Sequence, residues 1–241
     1  MFEPVKVAFA EYVGRFYQSL YPTTRGMDEY CKRGLEKAVA WVPGRMVDAA
    51  EEMLDAWQRN DTDSAATLPR LPVVLIAMSK DVTPSGRDYT RQIADAEWFT
   101  FACDPKERAF KVKTMSADVR AQLAIFAHDE PTARAIAAQW LLFTEGVANR
   151  GFASTIMFSG MEHHWPVRIE NPSASVMSIQ TDAKNITLLS VDVMLKASIP
   201  LFFAPKVGEP NDGKGDPANP DDLAGFPVLG GLNYSSNASA P

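Results

Sequence analysis

Asp118-Val-Arg-Ala-Gln-Leu-Ala-Ile-Phe-Ala-His-Asp-Glu-Pro-Thr-Ala-Arg-Ala-Ile-Ala137 reads as two kinds of structure with no loop between them. Val119, Ala121, Leu123, Ile125 and Ala127 recur at every second position, the period of a strand. Asp129 then stands where a helix N-cap belongs, with Glu130 and Pro131 favourable in the first turn. Beyond it Ala133, Ile136, Ala137, Trp140, Leu141 and Thr144 share one face of a 3.6-residue period, which stops near Asn149-Arg150-Gly151. The small alanines predict close packing of this helix on a sheet. A strand that feeds straight into a packed helix predicts an α+β chain with a mostly antiparallel sheet flanked by helices.

Upstream, Val5, Phe9, Tyr12, Val13, Phe16 and Leu20 predict an amphipathic helix from Val5 to Leu20. Met27, Cys31, Leu35, Ala38 and Val42 predict a second, ending at Pro43-Gly44, and Met46, Ala50, Met53, Leu54 and Trp57 a third, followed by a polar loop over 60–67. The period changes at Leu71. Residues 72–78 are a short apolar run, β-branched at its start, that predicts a buried central strand, with a polar loop from Thr83 to Arg91. Glu97–Cys103 and Arg108–Met115 predict a hairpin turning at residues 104–107, and the strand at Val119–Ala127 is expected to follow as a separate one.

Downstream of the helix, Phe152–Phe158, Trp165–Glu170 and Val176–Gln180 predict shorter strands. Thr187–Ile199 carries the strongest strand pattern: Leu189, Val191, Val193, Leu195, Ala197 and Ile199 face one way, and Ser190, Asp192, Lys196 and Ser198 face a side expected to be solvated. Residues 205–241 then hold six prolines and six glycines. The expected organisation is a single α+β domain over 1–205, mainly helical over 1–67 and sheet with packed helix over 68–205, and an extended Pro/Gly-rich arm over 206–241. Leu223, Phe226, Val228, Leu229, Leu232 and Tyr234 make the arm adhesive, and burying such groups against a neighbour offsets the entropy of ordering them.

The 241 residues, 46% hydrophobic and 22% charged, have the proportions of a folded domain. Thirty Asp and Glu against 24 Lys and Arg give a net charge of −6, which argues against a surface built to neutralise phosphates. Two cysteines, Cys31 and Cys103, are too few for a disulfide framework. The first residues lack a basic and an apolar export region, so neither Sec export nor a membrane span is expected.

Phosphate-cradling, dinucleotide, nucleophile-elbow and zincin motifs are missing from the sequence. Glu162-His163-His164 could supply a general base or metal ligands, but adjacent histidines point to opposite sides, and a solvated turn leading into Trp165 is the expected reading. Lys106, Arg108, Lys111 and Lys113 crowd one hairpin and mark a basic face expected to meet a protein neighbour. The expectation is therefore no catalytic residue, no cofactor and no metal.

The order of elements from Leu71 to Pro205, and the Ala-Ile-Phe-Ala-His-Asp-Glu-Pro-Thr-Ala-Arg passage (124–134) within it, resemble the collar and tail-terminator proteins of contractile-tailed bacteriophages of the Pseudomonas type. That resemblance implies a structural virion protein of the neck, assembled in the host cytoplasm as a homo-oligomeric ring, commonly six-fold. It implies contacts with the tail tube protein, the head-tail connector or adaptor proteins and the tail sheath, while genomic DNA passes through the channel without specific binding. The bore is then expected to be neutral or acidic, since lysines there would hold the passing phosphates. The interaction residues expected on this reading are Phe226, Val228, Leu229, Leu232 and Tyr234 of the arm and Lys106, Arg108, Lys111 and Lys113 of the hairpin. Two departures stand out: the helical region ahead of Leu71 is longer than a minimal terminator needs, and the arm has no counterpart. A head-tail adaptor or stopper of the same neck, with a different ring number and a mostly helical core, and a small cytoplasmic enzyme remain alternatives.

Overall fold

Helix α1 (Glu3–Gln18) opens the structure, a computed structural model that describes residues 2–42, 71–84, 93, 95–102, 109–158, 161–170, 176–180 and 186–203. Its buried side chains Val5, Phe9, Tyr12, Val13 and Phe16 are the predicted stripe. The second predicted helix is broken instead. α2 (Arg25–Arg33) is capped by Thr24, whose hydroxyl accepts from the Met27 N–H at 3.1 Å, and it stops at Gly34. Gly34 sits at φ 91°, a left-handed conformation that a Cβ disfavours. One turn, α3 (Leu35–Ala38), gives way to strand β1 (Val39–Trp41). Val39 and Trp41 are good strand formers, and β1 finds a parallel partner in β2 (Val73–Pro84), Val39 opposite Val74 and Trp41 opposite Ile76. The helix expected over Met46–Trp57 and the loop after it lie outside the described residues.

β2 is buried over its first five residues, as the apolar run predicts. It runs on past the expected end, since Thr83 and Pro84 pair with Asp118 and Ala117. Strands β3 (Glu97–Thr100) and β4 (Ala109–Ala127) form the predicted antiparallel hairpin. The two strands expected over 108–115 and 119–127 are a single strand of 19 residues, because the pairing of Ala117 and Asp118 with the end of β2 carries the ladder through the expected break.

β4 then enters α4 (Glu130–Glu145) as the quoted passage predicts: Asp129 Oδ1 accepts from the Thr132 N–H at 2.8 Å. Ile136 and Trp140 are fully buried, Leu141 only half, and the rings around Trp140 come from α1 and from Phe143 of its own helix. A short 3-10 turn (Val147–Asn149) leads into β5 (Gly151–Phe158), β6 (Met161–Ile169), β7 (Val176–Ile179) and β8 (Thr187–Phe203). The eight strands make one sheet in the order β1-β2-β4-β8-β6-β5, with β3 added on β4 and β7 on β8. β2 and β3 on β4, and β6 and β7 on β8, are antiparallel pairs. The chain is mixed α+β with an antiparallel-dominated sheet.

The side of β8 expected to be solvated is not. Ser190, Lys196 and Ser198 are buried along with the apolar row. The two charged side chains there have partners in place of water: Lys196 Nζ lies 2.7 Å from Glu170 Oε1, and Asp192 accepts from Arg120 Nη2 at 2.6 Å and Gln122 Nε2 at 2.7 Å.

The residues divide into two compact units. The first comprises Met1–Arg91, Ser116–Met157 and Glu162–Ile199. In it Tyr12, Phe16, Trp140 and Phe143 form an edge-to-face cluster, Phe16 and Trp140 with centroids 4.9 Å apart at 87°, and Phe152 of β5 closes on Tyr12 at 5.1 Å. The second comprises Gln92–Met115, Phe158–Met161 and Pro200–Pro241. Its described rings gather around Phe158 and Phe202, stacked at 3.8 Å and 7°, with Phe110 at 5.1 Å from Phe158 and Phe101 at 6.1 Å from Phe202.

Candidate functional site

The β3–β4 hairpin carries the described half of the predicted basic face. Successive residues of a strand point to opposite sides, so Val112 and Thr114 turn inward and are buried, while Lys111 is half-buried and Lys113 exposed. Thr114 is fixed from both ends: its N–H donates to the Ile93 carbonyl at 3.0 Å, and its hydroxyl accepts from the Ile93 N–H. Trp98 stands opposite Lys111 in the register, and the ammonium lies 5.6 Å from the ring centroid. That distance is within the range in which a ring face attracts a cation. The pair presents a ring and one positive charge, and exposed Lys113, two residues on, adds a second on the same side of the strand. Lys106 and Arg108, and the arm residues Phe226, Val228, Leu229, Leu232 and Tyr234, lie outside the described residues.

Glu162, His163 and His164 lie in strand β6, not in a solvated turn. Their strand geometry separates them: His163 is buried, and His164 is exposed with its Nδ1 3.1 Å from Thr155 Oγ1. Turns favour Gly, Pro and Asn, and only the Ser159-Gly160 pair ahead of this stretch supplies such residues. Among the described residues no group of three or more His, Cys, Asp or Glu is placed to hold a metal ion. Cys31 is a free, half-buried thiol whose pKa is raised, first by burial and then by the Asp28 carboxylate, which moves it away from a reactive thiolate. Cys103 lies outside the described residues.

The polar bridge between β4 and β8, Arg120 and Gln122 on Asp192, escaped the sequence reading. Asp192 lies 72 positions from Arg120 and 70 from Gln122, too far for any local pattern to pair them. The bridge holds two long strands in register and exposes only part of Arg120 and Asp192.

No protein-family model matches the chain, and no curated protein is similar to it.

Proposed function

We propose that the chain is a ring-forming structural protein of a bacteriophage neck, a collar or tail terminator that joins the head-tail connector to the tail tube. The observation that carries the reading is the run from β2 to β8, in which the long second strand of the β3–β4 hairpin passes directly into a capped helix and further strands follow. The resemblance rests on this order of elements, here with the hairpin and the strand ahead of the helix merged in β4. The eight-stranded sheet also favours a terminator over the adaptor alternative, for which a mostly helical core is expected.

On this reading the protein performs no chemistry. It works by matching surfaces, with the Trp98, Lys111 and Lys113 face of the hairpin set against a protein neighbour and the arm reaching another subunit. A ring stacked on a tube needs head-to-tail contacts that close. Six copies are expected, joined to tube, connector and sheath proteins in the virion, with DNA passing through a neutral or acidic bore. Light scattering and negative-stain electron microscopy of the purified chain test this: closed rings with the mass of six copies are expected, and a monomer at every concentration overturns the reading.

A further inference from the structure

The main run of the sheet has two ends, and they are built differently; β3 and β7, added beside it, are only four residues long. At one end β1 is only three residues long, and Lys6 reaches over its Trp41 ring at 5.2 Å. At the other end β5 presents eight residues, Gly-Phe-Ala-Ser-Thr-Ile-Met-Phe, without a charge or a proline. Natural edge strands are kept from pairing with other chains by shortness, charge, proline or cover. β1 has the first and the last of these; β5 has neither shortness, charge nor proline, and among the described residues no strand pairs with its outer side.

The direction of the open hydrogen-bonding groups follows from the β5–β6 contacts. Arg150 accepts from the Ile169 N–H at 3.0 Å, Ser154 Oγ donates to the Trp165 carbonyl at 3.3 Å, and Thr155 meets His164. Each step forward on β5 is a step back on β6, so the two form an antiparallel hairpin. Groups alternate along such a ladder. With Arg150 bonded to β6, the N–H and C=O of Phe152, Ser154 and Ile156 point into the hairpin, and those of Gly151, Ala153, Thr155 and Met157 point off the edge. The side chains of Ala153, Thr155 and Met157 are exposed as well.

We propose that the edge of β5 receives residues 228–234 of a second copy as an added strand. This rests on the ring reading and names its contact. The donor is argued from the chain itself: no charged residue follows Asp222, and Val228-Leu-Gly-Gly-Leu-Asn-Tyr234 is an uncharged, proline-free stretch about as long as the exposed edge. Main-chain hydrogen bonds supply the affinity in strand addition, and the two glycines allow close backbone approach. One edge and one arm per chain make a head-to-tail contact, the kind that propagates around a ring.

Two full-length variants separate edge from arm. Ala153→Pro removes an outward N–H without touching the hairpin ladder, whereas Ser154→Pro, one residue on, removes an inward one and should lower the melting temperature of the chain itself. Leu229→Asp/Leu232→Asp leaves the edge intact and spoils the arm. The A153P chain and the double variant should each be folded monomers, and an equimolar mixture should double in mass to a heterodimer, because one variant still donates and the other still accepts. Assembly of A153P like the unsubstituted chain overturns the proposal. So does self-association of the double variant, which would mean that edges pair with edges, and so does a mixture that stays monomeric, which would mean that each arm returns to its own chain. The mass of the unsubstituted chain judges the ring separately: a copy number other than six, with complementation intact, overturns the six-fold reading and leaves the added strand standing.

Discussion

Two aromatic clusters, one in each unit, are buried to different depths. Around Trp140 in the first unit, Phe9, Tyr12 and Phe16 are also shut off from solvent, and edge-to-face contacts at 4.9 to 5.8 Å lock α1 onto α4. Around Phe158 and Phe202 in the second unit the rings are only half-buried, and Phe203 beside them is 44% exposed. The first arrangement completes itself within one chain. The second leaves apolar area in water, which is the state of a surface with further packing to gain.

The comparison is broken most directly by truncation. Trp140→Ala should cost about 3–5 kcal/mol, since it empties a fully enclosed site whose neighbours sit on two different helices. Phe202→Ala removes a ring that already meets water and should cost roughly 1–2 kcal/mol. Thermal melting checks both, and equal losses would mean that the two clusters are equally structural.

Alkaline pH sharpens the contrast, because the described Phe158 cluster contains no ionisable ring. Burial raises the Tyr12 phenol far above its ordinary 10.0, and Tyr30, wholly enclosed, is raised well above it too. In the unfolded chain both ionise near 10. Above that pH the unfolded state therefore holds fewer protons than the folded one. Stability is complete below about pH 10 and falls as pH rises toward the folded-state values. Melting temperatures from pH 8 to 11 should be flat and then drop. Tyr30→Phe should make that drop shallower. It should also gain about 1 kcal/mol at neutral pH, because the Tyr30 hydroxyl is buried with no hydrogen-bond partner among the described residues. A drop unchanged by Tyr30→Phe assigns the alkaline limb to other groups.

How much of this was legible in advance depended on whether the deciding physics was local. The Asp129 cap, the α4 stripe and the hairpin follow from neighbours within a few residues, and they stand where the pattern put them. Gly34 was visible too, but an apolar stripe running past it hid the break. Val39–Trp41 became a strand because β2, more than 30 residues away, offered a partner. The covered polar side of β8 was hidden for the same reason: Glu170, Arg120 and Gln122 are brought to Lys196 and Asp192 only by the fold. Of the expected interaction residues, Lys111 and Lys113 occupy a defined face, and the others lie outside the described residues. The β5 edge went unnoticed because an uncharged strand becomes an open edge only once the order of the sheet is known.

The smallest expected effect lies on the hairpin. Lys111 and Lys113 point to the same side of β4, yet only Lys111 has the Trp98 ring beneath its ammonium, at 5.6 Å. A partly exposed cation over an indole is worth about 0.5–1 kcal/mol, and a solvated lysine close to nothing. Lys111→Ala should therefore lower the melting temperature by a few degrees at most, and Lys113→Ala should leave it unchanged. The two should converge in assembly, where both charges would face a neighbour: Lys113→Glu, harmless to the fold, should weaken association and make it less sensitive to salt. If Lys113→Glu assembles as the unsubstituted chain does, the hairpin is ordinary solvated surface, and the half-buried phenylalanines of the same unit must carry its contacts alone.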